Sequence, residues 1–209
     1  MRIRVAEERD TDALVSLVSE LYDYPPYDYV DENGWLRFIK NNYSLVCEDN
    51  GKIIGHGGLE MFHLGFGVMA RSFVHPDFRR KGVYSGLVEK RLDEAEEIGF
   101  NYVDANVVTY DVGVQRVLIE KFGFIPVGLK LLELPPIFEG KPMESLVVLR
   151  KAIVDEGSIP YEPAEKRKGC VPYLYDVEFY SGEWCYSYIE KFDFSSLKLH
   201  EKVKYFLNL

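Results

Sequence analysis

The sequence predicts an α/β (α+β) fold in which helices flank a mixed, mainly antiparallel central sheet. Apolar residues recur every three or four positions in some segments and in short strand-like runs in others, so helices and strands both occur. Their order is β-α-α-β-β-β-α-β-α-β-β, and three consecutive strands argue against the strict alternation of a doubly wound sheet. Between two of those strands, Asn50-Gly51 is typical of a tight antiparallel hairpin.

The first half of the chain predicts a strand, two helices and three further strands. A capping residue, Asp10 or Thr11, precedes apolar residues spaced like one face of a helix, and Pro25-Pro26 cannot continue that helix. The predicted elements are a strand at Arg2–Glu7, a helix from Asp10 or Thr11 to Leu21, a short helix around Gly34–Asn41, a hairpin across residues 44–60 and a strand at Val68–His75.

The second half predicts two helices and three strands. Apolar positions after the stretch RRKG repeat at intervals of three and four, and Gly99 is well placed to end that helix. The repeating apolar positions of this helix are Val83, Leu87, Val88, Leu92, Ala95 and Ile98. The predicted elements after it are a strand at 100–108, a helix at 114–122 closed by Gly123, a short strand at 124–128 and a strand at Glu144–Val154.

From Asp155 onward, turn formers, charges and tyrosines become frequent. The predicted organisation is therefore a main domain at residues 1–154 and an aromatic-rich C-terminal extension at residues 155–209. So short an extension buries too little apolar surface to form a stable hydrophobic core of its own. We expect it to pack on the main domain or on a partner subunit, which would make a homodimer.

Composition and charge exclude several classes of function. A net charge of -9 argues against broad binding to nucleic acid or to an anionic membrane, so any anion site must be local. No apolar run approaches the roughly 18 residues that cross a bilayer, and the charged start lacks the core of a signal peptide. Cys47, Cys170 and Cys185 have no metal-ligand spacing, and His56 and His63 are isolated. We expect reduced thiols, no metal and a cytoplasmic location.

The stretch HPDFRRKGVYSG predicts an anion site. Arg79, Arg80 and Lys81 stand directly before Gly82, where a strand gives way to a long helix. A helix N-terminus has unpaired N–H groups and a positive partial charge, and glycine lets an anion approach the main chain closely. The cations add charge-assisted hydrogen bonds. Because basic loops before helices are common, an ordinary charged loop is the alternative.

The same region resembles the signature of the GNAT superfamily, the acyl-CoA-dependent N-acyltransferases. Their pattern is a strand ending in Val-x-Pro, a basic-glycine pyrophosphate loop with an Arg/Gln-x-x-Gly core, and a long helix. A later helix leads to a Gly-Phe pair, as in VQRVLIEKFGF here. The matching residues are Val74, Pro76, Arg79, Gly82, Gly123 and Phe124. The element order from Arg2 to about Val154 fits the GNAT fold, and the extension is not explained by it.

Three positions depart from the family pattern. Tyr84 stands where a second Gly or Ala is usual. We expect its ring to narrow the pyrophosphate-binding loop or to contact the cofactor. Val112 replaces a frequent asparagine, and Ile119 replaces a tyrosine that often serves as general acid. A thiol ionises near roughly 8.5, so a thiolate can leave without that acid, and its absence is not decisive.

The resemblance implies acetyl-CoA, or another acyl-CoA, as co-substrate. It implies that an amine of a small molecule or a peptide attacks the thioester directly in a ternary complex. It also implies that main-chain N–H groups around Phe73 to His75 stabilise the oxyanion. The predicted cofactor-binding residues are Phe73, Val74, His75, Arg79, Arg80, Lys81, Gly82, Val83, Tyr84 and Ser85.

Two functions follow, and a third is weak. The first is an N-acyltransferase, most simply an acetyltransferase, and the alternative is a catalytically silent sensor or assembly module that binds CoA or acyl-CoA in the same fold. An unrelated nucleotide-binding protein is disfavoured because no P-loop Gly-Lys-Ser/Thr follows the basic run.

Glu60 and Tyr110 are the candidate catalytic residues. Glu60, at the end of the strand KIIGHGGLE, or the nearby His63 could take the proton of the amine directly or through water. A solvated charge is the alternative for Glu60. Tyr110 lies just past a strand end, from which it could reach the site. For His75 we expect packing or a loop hydrogen bond.

The segment LYDYPPYDYVDENGW contains the candidate acceptor residues. The resemblance places the connection between the first two helices beside the acceptor. Acidic residues among tyrosines suit a cationic amine through charge and cation–π attraction. The candidate substrate residues are Tyr24, Tyr27 and Asp28. The alternative is a solvated acidic loop with its rings packed down.

Overall fold

The computed structural model describes residues 1–62, 65–134 and 144–153. The strands are β1 (Arg2–Val5), β2 (Tyr43–Asp49), β3 (Lys52–Phe62), β4 (Phe66–Val74), β5 (Tyr102–Val108), β6 (Ile125–Leu134) and β7 (Glu144–Ala152). The helices are α1 (Thr11–Leu21), α2 (Tyr27–Val30), α3 (Glu32–Asn41), α4 (Val83–Ile98) and α5 (Val112–Arg116), which a π-helical segment continues at Val117–Lys121. Short 3₁₀ turns lie at Glu8–Asp10 and Pro76–Phe78. The predicted extension, His63, Cys170 and Cys185 lie outside the described residues.

The seven strands found within these ranges form one sheet in the order β1-β2-β3-β4-β5-β7-β6. β4 and β5 pair in parallel, and the other neighbours pair antiparallel. This confirms the predicted mixed, mainly antiparallel sheet. β6 is longer than the predicted short strand because it pairs with β7 as far as Leu134 opposite Glu144.

Turn and cap residues position the elements around the hairpin and α3. Asn50 and Gly51 both have positive φ, of 49° and 79°, as a type I′ turn requires. The Asp31 carboxylate accepts hydrogen bonds from the N–H groups of Asn33 and Gly34, so α3 begins at Glu32, slightly before the predicted start. The single turn α2 was not predicted.

Helices cover both faces of the sheet. On one face α1 and α3 bury Leu14, Leu17, Trp35 and Phe38 against Val46, Ile53 and Phe73. On the other face α4 buries Val83 and Leu87 against Leu45, Ile54 and Val74, and the helix after β5 buries Leu118 and Ile119 against Val103 and Ala105.

The long helix α4 lies between two glycines in the left-handed region. Gly82 caps its N-terminus with φ of 82°, and Gly99 ends it with φ of 81°. Ile98, the last of the repeating apolar positions, is 44% exposed in the final turn of the helix. Arg91 is buried instead, since it lies four residues from both Leu87 and Ala95 on the stripe that faces the sheet.

Candidate active site

The candidate site lies where two neighbouring strands separate. The parallel ladder between β4 and β5 runs from Phe66–Tyr102 to Met69–Ala105. Beyond it, β4 continues to Val74 along β3, and β5 continues to Val108 along β7. A wedge, defined here as the gap between β4 after Met69 and β5 after Ala105, therefore opens at the carboxyl ends of both strands. Open α/β sheets bind ligands at such ends.

Val74 presents its main chain to this wedge. The N–H of His75 donates to the Ile54 carbonyl of β3 at 2.8 Å. Along a strand, the main-chain N–H and C=O groups of successive residues point to opposite sides. Those of Phe73 therefore face β3, like the N–H of His75, and those of Val74 point away from β3. Arg79 Nε donates to the Val74 carbonyl at 3.1 Å, which agrees with this direction. Among the predicted oxyanion donors, Val74 is thus the residue whose N–H faces the wedge.

A β-bulge interrupts β4 beside the wedge. Arg71 and Ser72 together lie opposite Gly57, because the register shifts between the pairs His56–Phe73 and Gly58–Ala70. Arg71 has φ of 47°, which is uncommon outside glycine and costs on the order of 1–3 kcal/mol.

His56 holds this bulge in place. Its Nδ1 lies 2.6 Å from the Arg71 carbonyl, and since a carbonyl can only accept, Nδ1 carries the proton. Nε2 therefore accepts from the Ser44 hydroxyl at 2.8 Å. Burial lowers the pKa of His56 to about 3, so the ring is neutral. Sequence reasoning missed this role because the bulge that His56 supports has no local signal in the sequence.

The loop from β4 to α4 presents main-chain N–H groups to open space. Arg80 and Gly82 both have positive φ, of 60° and 82°. The first hydrogen bond of the helix joins Gly86 N–H to the Gly82 carbonyl at 2.9 Å, so the N–H groups of Val83–Ser85 have no partner within the helix. Gly82, the N-cap residue, has no side chain that could cap these N–H groups, and a Cβ built on it would meet nothing within 4 Å. We call residues 80–85 the cradle; unpaired N–H groups at the start of a helix are a general binding site for anions.

The loop before α4 contains three cationic residues, Arg79, Arg80 and Lys81. Arg79 is tied to Val74 by its Nε, and the Lys81 ammonium lies 4.9 Å from the centroid of the Phe78 ring. Arg80 is exposed. His75 Nδ1 accepts from the N–H of Asp77 at 3.3 Å, which confirms the loop hydrogen bond expected for this histidine. The loop therefore concentrates positive charge locally on an acidic chain.

Arg71 links the sheet to the connection that follows α1. Its guanidinium lies 4.4–4.8 Å from the ring centroids of Tyr29, Trp35 and Phe38. It also donates to the main-chain carbonyl and to the carboxylate of Asp28. The negative charge of Asp28, predicted to attract a cationic acceptor, is therefore already paired with a cation. Asp28, Phe38 and Arg71 line part of a shallow pocket of about 250 Å³ between α2, α3 and the bulge.

Glu60 lies on the same face of the sheet as Arg71. Gly58, two residues before it, faces Phe38, so the alternation of the strand places Glu60 on that face as well. Glu60 lies inside β3, two residues before its end, rather than at the end. Burial raises the pKa of its carboxyl, Arg71 opposes that rise, and Asp28 adds to it. A half-buried carboxylate with a raised pKa can act as a general base.

The remaining candidates lie at the surface. Tyr24 and Tyr27 are 56% and 81% exposed, so these two rings are not packed down. Tyr110 is 48% exposed and follows the end of β5, directly before Asp111, whose carboxylate caps α5 by accepting from the Val114 N–H at 3.1 Å.

The three departures from the family pattern have different surroundings. Ile119 is 7% exposed and belongs to the core with Leu118, so it offers no proton donor. Val112 is the first residue of α5. Tyr84 packs beside the core at the first turn of α4, and burial raises the pKa of its hydroxyl to about 12.

Across the described ranges, no group of three or more His, Cys, Asp or Glu side chains is arranged to hold a metal ion. In the same part of the chain, no helix combines the length and apolar character needed to cross a membrane.

The chain resembles solved acetyltransferase structures in fold. An N-acetyltransferase from Staphylococcus aureus Mu50 has 18% identity and a TM-score of 0.63 over 73% of this chain and 98% of its own. The ribosomal-protein-S18-alanine N-acetyltransferase from Escherichia coli has 19% identity and a TM-score of 0.63 over 77% and 99%. The yncA protein from Salmonella typhimurium, with its cofactor acetyl-CoA, has 19% identity and a TM-score of 0.62 over 74% and 95%.

The sequence has no significant match among curated proteins. It does match the family model described as "Acetyltransferase (GNAT) family" over residues 9–124, more than half of the chain. This range contains the wedge, the bulge and the glycine-led loop before α4. The chain belongs to the GNAT family of acetyltransferases.

Proposed function

We propose that the protein is an N-acyltransferase, most simply an acetyltransferase, which transfers an acyl group from acyl-CoA to an amine by direct attack in a ternary complex. One observation carries the proposal: the wedge between β4 and β5 ends at an uncapped helix N-terminus led by Gly82. The cradle at residues 80–85 suits the diphosphate of CoA, and the wedge suits an extended chain beside the free main chain of β4.

Each residue of the site would have a distinct part. Acyl-CoA, when bound, supplies the acyl group as an activated thioester. Glu60 accepts a proton from the amine, whose ordinary pKa near roughly 10.4 keeps it charged in water. The N–H of Val74 donates to the carbonyl oxygen as that oxygen gains negative charge. Tyr110, beyond the end of β5, is the second catalytic candidate, as a donor to the departing sulfur.

The acceptor is an amine of a small molecule or of a peptide. Exposed Tyr24 and Tyr27 offer ring faces to a cation, and Glu60 offers a negative charge that Arg71 only partly offsets. The names of two similar structures, a ribosomal-protein-S18-alanine N-acetyltransferase and a ribosomal-protein-S5-alanine acetyltransferase, support a peptide amine.

A second function keeps cofactor binding without turnover. The burial of Ile119 in the core favours it, because the position that often provides a general acid has none here. In this case the chain would bind CoA or acyl-CoA as a sensor or assembly module.

The two functions can be separated with the full chain. Both expect CoA to raise the midpoint of thermal unfolding, and both expect Arg79→Glu to remove that rise. Only the enzyme releases free thiol from acetyl-CoA when amines are supplied, including peptides with a free N-terminal alanine. Thiol release would establish the acyltransferase. Its absence across the panel, with CoA binding intact, would favour the silent module, and no CoA binding would refute both.

A further inference from the structure

Arg91 of α4 is a buried cation that lacks a counter-charge. Its residue is 0% exposed, and within the described part of the chain no carboxylate influences its pKa. Burial lowers that pKa to about 10, so the guanidinium remains charged at neutral pH. Removing a charge from water is unfavourable unless an opposite charge compensates it.

The guanidinium is held rigidly but incompletely. Nε donates to the Leu87 carbonyl at 2.9 Å, and Nη1 donates to the Gly58 carbonyl at 3.0 Å and the Ser72 hydroxyl at 2.7 Å. Nη2 is buried and makes no hydrogen bond of ordinary length in the described structure, although the Tyr84 hydroxyl interacts with the guanidinium. Of the five N–H donors of the guanidinium, three are fixed, and the two on Nη2 have no acceptor at ordinary hydrogen-bond distance.

The Arg91 guanidinium, which donates to Ser72, lies beside the wedge. Ser72 belongs to the bulge of β4, beyond the last pair that β4 makes with β5. A side-chain hydrogen bond with Tyr84 raises the pKa of Arg91 and lowers that of Tyr84, whereas Asp111 at the N-cap of α5 raises the pKa of Tyr84. Tyr84 is partly exposed, whereas Arg91 is fully buried.

We propose that Arg91 and Tyr84 form an anion-recognition pair in the wedge, which favours acyl donors whose short acyl chain ends in a carboxylate. This inference rests on the proposed acyl-CoA function and names its donor class. A carboxylate would satisfy Arg91 Nη2 and supply the missing counter-charge. A neutral carbonyl would satisfy the donor but leave the charge uncompensated. A rotation of the Tyr84 side chain would admit the group, and its hydroxyl would add a second hydrogen bond.

The test compares succinyl-CoA with butyryl-CoA, whose chains have equal length and differ in the terminal carboxylate. Titration calorimetry on the full chain should give a dissociation constant about tenfold or more lower for succinyl-CoA, while CoA alone sets the baseline. Arg91→Met keeps an unbranched side chain and should remove the preference. Tyr84→Phe keeps the ring and should reduce the preference several-fold.

The ratio of the dissociation constants for butyryl-CoA and succinyl-CoA separates recognition from a structural role. If Arg91 only supports the fold, its replacement weakens the binding of both ligands alike and leaves this ratio unchanged, which would overturn the inference. Equal or tighter binding of butyryl-CoA by the unmodified chain would overturn it as well, with CoA binding and the proposed function intact. Tyr84→Phe gives an independent measurement should Arg91→Met not fold. Failure of CoA itself to bind would instead refute the proposed function.

Discussion

Gly57 of β3 and Arg91 of α4 share one space. A Cβ built on Gly57 would lie 3.1 Å from Arg91 Cζ and 3.2 Å from Nε, closer than nearly all real Cβ contacts. The guanidinium cannot retreat easily, because Nε and Nη1 already donate to Leu87, Gly58 and Ser72. A buried arginine at position 91 therefore depends on the absence of a side chain at position 57.

Gly57→Ala should lower the free energy of unfolding by about 1–3 kcal/mol, the usual cost of overpacking. Urea denaturation followed by circular dichroism would measure it. Gly113→Ala is the matched control, because a Cβ there meets only the Asp111 carboxylate, at 3.7 Å, within α5. That variant should be as stable as the unmodified chain or more stable by up to about 1 kcal/mol. Equal stability of both variants would contradict the packing described for Arg91.

Gly82→Glu should abolish the rise in thermal midpoint that CoA produces. The new carboxylate would stand at the helix N-terminus, where it competes with and repels a diphosphate. Gly99→Glu is the control, because Gly99 has nearly the same φ and equally open surroundings at the far end of the same 16-residue helix.

Both glutamates pay a similar backbone cost of about 1–2 kcal/mol for a positive φ, so both should lower the midpoint without ligand. Only Gly99→Glu should retain the CoA-dependent rise, measured by differential scanning fluorimetry. An unchanged rise in Gly82→Glu would remove the cradle from the proposal.

Glu60→Gln should lower kcat by about 10²–10⁴-fold and leave CoA binding unchanged, since a base acts on the amine and not on the cofactor. In the unmodified enzyme kcat/KM should fall as pH decreases through the raised pKa of Glu60, because protonation removes the base. The Gln variant should lose this limb of the pH profile. Glu89→Gln, on the exposed side of α4, is the control and should keep both rate and profile.

Glu60→Gln should also not lower the stability of the fold at alkaline pH. The native pKa of Glu60 is raised, so the folded state binds its proton more tightly than the unfolded state, and ionisation at neutral pH costs stability. Glu60→Gln should therefore unfold at the same or a higher temperature at pH 8. A variant that is both inactive and strongly destabilised would indicate a structural role instead.

Protonation of His56 should contribute to acid destabilisation. Its folded pKa of about 3 lies below the ordinary 6.5, so the unfolded state binds more protons between these values and stability falls as pH decreases across them. Between pH 7 and pH 5 the unmodified chain should lose about 2 kcal/mol more than His56→Gln. Denaturant titrations at both pH values measure the difference, and equal losses would mean that the histidine is not buried and neutral.

Local signals in the sequence predicted the elements that depend on neighbouring residues. Asn50-Gly51 formed the hairpin turn and Gly82 the start of α4, because each requires a positive φ that few residues adopt cheaply. The apolar spacing predicted the element order and, through the family resemblance, the fold. The unpaired N–H groups at the start of α4 were predictable for the same reason, since they belong to consecutive residues.

Contacts between distant residues decided the rest of the site. The bulge at Arg71, the His56 that supports it and the pairing of Asp28 with Arg71 join positions 15 to 43 residues apart. The spacing of apolar residues included Ile98, which is exposed, and could not indicate that Arg91 is buried, because the burial of Arg91 depends on the glycine opposite it in β3. Backbone preferences and periodicity are properties of a short segment, whereas strand register, burial and the pKa of a carboxyl depend on what packs across from it.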